Sequence, residues 1–245
     1  MCFEPDAVPP PLPSGRSPLP GEDITLTSAD GSQVLAHRVR PTEPNGRAVI
    51  VLPDIRGLYP FYRNLAGAFA AEGFDAIALD YFARTAEDAN RTGDFDPWLH
   101  VRQTVPATVR EDIAAANDAL GDAPTYTVGF CFGGAHSFCL AASDLGLAGV
   151  VGFYGKPYNE TGSEMSAIEM TGQMKSPVLG LFGGGDSSIP QDIIDAFGAE
   201  MTGSGVEHEL HTYPGAPHSF FDRSSDEWAD ACQDAWTRTL AFMSA

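Results

Sequence analysis

The sequence predicts an α/β fold, a mostly parallel central sheet with helices on both faces. Two observations predict it. Short apolar runs of strand length alternate with stretches of helical periodicity, the pattern of strands joined by crossover helices. One of those runs, Ala48 to Leu52, is apolar throughout rather than alternating, as a strand buried on both faces requires. The 245 residues suit one large domain as well as two small ones. No internal repeat or linker divides them, so a single α/β domain is expected over 23–245 behind a proline-rich arm, 1–22.

In chain order, residues 1–22 have little apolar periodicity and read as an extended arm or a disordered leader. Residues 23–27 and 34–40 flank an Ala-Asp-Gly-Ser turn at 29–32, a hairpin signal. Ala48 to Leu52 (AVIVL) is a buried parallel strand. Pro60 to Glu72 is helical and ends at Gly73, a C-cap. Strands follow at 74–79, 126–130, 149–154, 178–182 and 207–213, with helices at 105–120, 133–142, 190–202 and 226–243.

Composition narrows the function. Thirty-three acidic against fourteen basic residues give a net charge of −19, and only Lys156 and Lys175 are lysines. Such a surface repels nucleic acid and anionic membranes, so neither is expected as a partner. No apolar run has the length of a membrane span, and the N-terminus lacks the basic and apolar regions of a signal peptide. Cys2, Cys131, Cys139 and Cys232 form no C-x-x-C pair and no zinc spacing. Free thiols and a cytoplasmic location are the expectation. His208 and His211 fall on opposite faces of a strand, and His37 and His100 have no acidic partner at useful spacing. No metal and no cofactor are expected. Monomer and homodimer both remain open.

Three loops past strand ends carry candidate chemistry. Val128-Gly129-Phe130-Cys131-Phe132-Gly133-Gly134 has the form of a G-x-S-x-G nucleophile elbow with Cys in place of Ser. An elbow exposes its side chain at a helix N-terminus, where free N–H groups and the dipole favour a thiolate. The plainer alternative is a core cysteine before a glycine-rich helix start. Asp186 follows the strand Val178 to Phe182 and three glycines, and reads as a triad acid or as a helix cap. His218 follows the last strand. Nucleophile, acid and histidine in that order are the chain order of α/β-hydrolases.

These stretches resemble the dienelactone hydrolase family, carboxymethylenebutenolidase-like α/β-hydrolases with a Cys-His-Asp triad. The resemblance rests on VGFCFGG at 128–134, LFGGGD at 181–186, YPGAPHSF at 213–220, VLPDIRG at 51–57 and DYFAR at 80–84. It implies that Cys131 is the nucleophile, His218 the base and Asp186 its orienting acid. It also implies that Asp54 gates the nucleophile, holding it as a thiol until substrate enters. Asp54 is one methylene shorter than the family's usual Glu. Backbone N–H groups of Ile55 and Phe132 would form the oxyanion hole. Arg84 matches an arginine that binds a lactone carboxylate. Arg223, displaced by one residue, is the nearest candidate for a second. Arg56 is a third, with a surface role favoured. The implied activity is hydrolysis of a small-molecule ester or lactone through a thioester. A broad short-chain esterase and a catalytically silent ligand-binding or thiol-sensing scaffold are the alternatives.

Overall fold

The computed structural model describes residues 8–86, 91, 95–158 and 166–245. The polypeptide divides into two units, Met1–Thr125 and Tyr126–Ala245.

In the first unit, strands β1 (Glu22–Thr27) and β2 (Gln33–Val39) form the expected antiparallel hairpin, with Glu22 opposite Arg38 and Thr27 opposite Gln33. β2 also pairs antiparallel with β4 (Asp75–Leu79), and β4 pairs in parallel with β3 (Ala48–Leu52). All five residues of β3 are buried, which is why its sequence is apolar without alternation. Helix α1 (Pro60–Ala71) starts with proline at its first position, where no intrahelical N–H is missed. Helix α3 (Pro106–Leu120) does the same. Between them lie a 3₁₀ turn, Tyr81–Arg84, and the short helix α2 (Pro97–Val101), neither of which periodicity signals. Asp80 caps the 3₁₀ turn and pairs with Arg91 at 2.5 Å, a salt bridge with both side chains buried. A further cross-strand pair was invisible in the sequence. His37 and Asp23 are register partners, and Nδ1 of His37 lies 2.7 Å from the carboxylate. The expectation that His37 lacks an acidic partner fails because the hairpin, not the chain spacing, brings the two together.

The second unit is a parallel run of β5 (Thr125–Phe130), β6 (Gly149–Phe153), β7 (Val178–Gly183) and β8 (His208–Tyr213). β5, β6 and β7 are buried throughout, whereas β8 is only partly buried, consistent with its alternating sequence. Helix α4 (Phe132–Leu140) stops before the predicted end at 142, because the N–H groups of Lys175 and Ser176 take the Ala141 carbonyl. Helix α5 (Gln191–Gly203) follows Pro190 as expected. Helix α6 (Ala229–Phe242) begins three residues later than 226, after a series of turns over 219–228.

The described part of the proline-rich arm, residues 8–21, is mostly extended and docks on α1. The N–H of Leu19 donates to the Gly67 carbonyl at 3.0 Å, Arg16 donates to the Ala71 carbonyl at 2.6 Å, and Leu12 is buried. The approach needs a glycine, since a Cβ on Gly67 would stand 2.4 Å from the Leu19 carbonyl oxygen. Gly67→Ala is therefore expected to release the arm despite the better helix propensity of alanine. Limited proteolysis within 8–20 should accelerate at least tenfold; an unchanged cleavage rate would contradict the docking contact.

Candidate active site

Cys131 occupies the turn from β5 into α4 with φ 51° and ψ −108°. Few non-glycine residues adopt such angles, and they persist only where neighbours impose them. Here the Cys131 N–H donates to the Phe153 carbonyl at 3.0 Å, and its carbonyl accepts from Ala135 at 3.0 Å. The turn is tight enough that a Cβ on Gly129 would lie 2.1 Å from the Gly133 carbonyl oxygen. The Cys131 side chain is half-buried, unlike that of Cys232 on α6. Burial, with Asp222 and Asp226 nearby, pushes the Cys232 thiol up to about 12, and its Sγ–H points to the Phe220 carbonyl at 3.3 Å. Cys232 is thus an inert core thiol. Cys2 lies outside the described residues.

The loops after β7 and β8 are hydrogen-bonded to each other. Gly184 donates to the Tyr213 carbonyl and Gly185 to the Ala216 carbonyl, both at 2.8 Å. They bring Asp186 and His218 together, with His218 Nδ1 2.5 Å from Asp186 Oδ2. The other carboxylate oxygen accepts from the Ser188 N–H at 2.8 Å and the Ser188 hydroxyl at 2.7 Å. Burial alone would raise the Asp186 carboxyl, but the bonds from His218 and Ser188 outweigh it and hold the group below the usual carboxylate range. Asp186 is 3% exposed at its side chain and His218 31%, so an ionised acid backs an imidazole that solvent or a ligand can reach. With Nδ1 committed to Asp186, Nε2 is the nitrogen left for proton transfer.

Two neighbours of His218 escaped sequence reasoning. The Tyr154 ring lies 5.0 Å from the imidazole, and its hydroxyl donates to Asp222 at 2.8 Å. Phe221 and Asp222, which precede Arg223, are both buried, while Arg223 is exposed. An aromatic at the end of β6 and a buried acid within a Phe-Phe-Asp run were the available signals.

In the first unit, Asp54 and Ile55 follow β3. Asp54 is buried and accepts from Arg56 through its N–H at 2.9 Å and its guanidinium at 3.2–3.3 Å. Burial raises the Asp54 carboxyl, and Arg56 and Tyr62 offset this only in part. Arg56 is not at the surface as expected: it is buried against Asp54 with Cζ 4.3 Å over the Tyr59 ring. The N–H of Ile55 has no acceptor among the described residues. Arg84 is more constrained than its implied role suggests. Its Nε and Nη2 bond Asp112 at 2.6–3.2 Å, Nη1 bonds Asp30 at 2.6 Å and Ser32 at 2.7 Å, and Nη2 reaches Asp30 at 3.3 Å. A guanidinium has five N–H donors, and these contacts occupy them all.

Comparison with known proteins places this architecture. The sequence profile of the dienelactone hydrolase family matches residues 34–245. A Salmonella typhimurium protein assigned as a carboxymethylenebutenolidase is 29% identical, over 89% of this chain and 85% of its own. A Bradyrhizobium protein assigned as a 2-oxo-3-(5-oxofuran-2-ylidene)propanoate lactonase is 29% identical, over 87% of this chain and 90% of its own. The crystal structure of a Klebsiella pneumoniae protein assigned as a dienelactone hydrolase superposes with a TM-score of 0.81 at 29% identity. That match covers 91% of this chain and 98% of the other. The fold is that of the α/β-hydrolases.

Because the Asp186 carboxyl is depressed in the folded state, its contribution to stability is present above the ordinary carboxylate value of 3.8 and is lost as pH falls through the lower folded value. Asp186→Asn should cost about 1.5–3 kcal/mol at pH 7, the range for a hydrogen bond to a charged group. The gap to wild type should narrow in acid. Urea unfolding between pH 7 and pH 3 measures it; a gap independent of pH would contradict the ionised Asp186–His218 pair.

Proposed function

The chain belongs to the dienelactone hydrolase family and is a hydrolase, and from that premise we propose that it cleaves carboxylic esters or lactones by acyl transfer to Cys131. His218 takes the thiol proton through Nε2, and the thiolate attacks the carbonyl carbon to form a C–S bond. The oxyanion is bound by the N–H groups of Ile55 and Phe132, each such donor contributing about 3–4 kcal/mol to the barrier reduction. Collapse breaks the C–O bond, and His218 returns its proton to the departing alkoxide or enol. Water, deprotonated by His218, then hydrolyses the thioester and frees the thiol. Asp186 fixes the imidazole tautomer and stabilises its protonated form. Asp54 gates the nucleophile, its carboxyl already raised by burial and held by Arg56. The observation that carries this reading is the 2.5 Å bond from His218 to Asp186 on the loops that follow β7 and β8, in a chain whose β5 ends on a strained cysteine. A free thiol is most readily kept reduced in a reducing compartment, and we propose the cytoplasm.

Thioester formation gives little driving force against amine leaving groups, which favours enol esters, activated esters and lactones over peptides. Whether the substrate carries a carboxylate turns on the arginines. One observation favours the broader esterase: Arg84 would have to release Asp30 or Asp112 before gripping a substrate anion. Arg223, exposed and five residues past His218, is the candidate cation that remains for that role.

Cys131→Ala should abolish turnover of a p-nitrophenyl ester, and activity within tenfold of wild type would sink the assignment. Arg84→Met resolves the substrate question by the ratio of dienelactone to neutral-ester rates. If Arg84 only braces the β1–β2 turn against α3, the ratio stays within about twofold of wild type. A selective loss of at least tenfold on the charged lactone would restore Arg84 as a carboxylate clamp.

A further inference from the structure

Among the described residues, three other than glycine have positive φ: Cys131 at 51°, Tyr154 at 38° and Ser219 at 62°. The first is the elbow and the third follows His218. Tyr154 has no part in the reaction written above. A side chain in this region is strained and persists only where its surroundings over-determine it.

Those surroundings are specific. The Tyr154 N–H donates to the Leu181 carbonyl at 2.7 Å, and the side chain is fully buried. Its ring packs on Phe220, with centroids 5.6 Å apart, and on Phe130 and Phe153, both at 6.2 Å. Its hydroxyl donates to Asp222 Oδ2 at 2.8 Å, and Asp222 is only 5% exposed. Burying a carboxylate among aromatic rings is costly. Core packing alone would be served by phenylalanine at 154 and an apolar residue at 222. The arrangement also fixes the position of the His218 turn. Asp222 lies four residues past His218, and its N–H donates to the Ser219 carbonyl at 3.3 Å. The phenol–carboxylate bond therefore ties the His218 turn to the end of β6 and holds the Tyr154 ring 5.0 Å from the imidazole at an interplanar angle of 57°.

We propose that Tyr154 and Asp222 are positioning residues for His218, acting as a clasp that fixes the imidazole plane. A single hydrogen bond at Nδ1 leaves the ring free to swing about that contact. The Tyr154 wall removes this freedom, so Nδ1 stays on Asp186 while Nε2 keeps one direction for proton transfer. Neither residue need touch substrate. The inference rests on the Cys131–His218–Asp186 reading. Misplacement of a reacting group by about 1 Å can cost 10²-fold in rate, so a partial loss of the clasp should be plainly measurable.

The test uses the full-length Tyr154→Phe, Asp222→Asn and Cys131→Ala proteins, with p-nitrophenyl acetate kinetics and the low-field NMR signal of the His218 Nδ1 proton. Tyr154→Phe should lower kcat about tenfold with KM within twofold of wild type, and should broaden or shift that proton signal. Asp222→Asn should move both readouts in the same direction and supplies them if Tyr154→Phe fails to fold. The double variant should be no slower than the slower single one, since the two residues act through one bond. A Tyr154→Phe enzyme with wild-type kcat and an unchanged proton signal overturns the clasp, and so does a rise in KM alone, which would make Tyr154 a substrate contact. In either case inactive Cys131→Ala leaves the triad reading standing. Turnover retained in Cys131→Ala overturns both.

Discussion

The chain must pass from β5 into α4 through a single residue, and that constraint organises the second unit. Cys131 can hold φ 51° only because Phe153 accepts its N–H and because Gly129 leaves room for the Gly133 carbonyl. The strain is local and lies at the strand-to-helix turn itself. Next to it in the fold order, Tyr154 ends β6 in a similarly uncommon conformation. Two successive parallel strands thus finish on residues whose backbone is set by neighbours rather than by intrinsic preference.

Charge is handled by local pairing. With 33 acidic residues and 14 basic ones, carboxylates outnumber cations at most points in the fold, and several arginines are surrounded by acceptors. Arg84 meets Asp30 and Asp112, Arg38 forms a two-pronged bond to Asp75, Arg91 meets Asp80, and Arg56 meets Asp54. A guanidinium so engaged braces turns and strand ends well, because its planar fork matches carboxylate geometry. Its positive charge is then largely spent within the fold and does little to attract an anionic ligand. The acidic composition therefore bears on substrate choice through individual arginines as well as through the field of the whole surface.

Much of this was legible in the sequence, for identifiable reasons. β3, β6 and β7 are legible because strands buried on both faces are apolar throughout. Cys131, Asp186 and His218 stood out because each follows a strand end in a turn-rich stretch and their order along the chain is informative. The short helix Pro97–Val101 and the 3₁₀ turn Tyr81–Arg84 were not legible, since they are too short for periodicity to reveal. The Asp23–His37 pair and the environment of Arg84 were hidden because they depend on register and on contacts between distant segments. Arg56 was misjudged for a related reason. A charged residue in a loop reads as solvent-facing until a buried partner such as Asp54 is seen beside it. Tyr154 and Asp222, 68 positions apart in the chain, become meaningful only when one bond joins them.

In the proposed reaction the thiol of Cys131 carries the acyl group. Rapid quenching of the enzyme in acid during p-nitrophenyl acetate turnover, followed by peptide mass mapping, tests it directly. An acetyl group is expected on the peptide that contains Cys131, formed during the burst and absent from the Cys131→Ala protein. Steady turnover with no acylated peptide, or with the acetyl group on another residue, would contradict it.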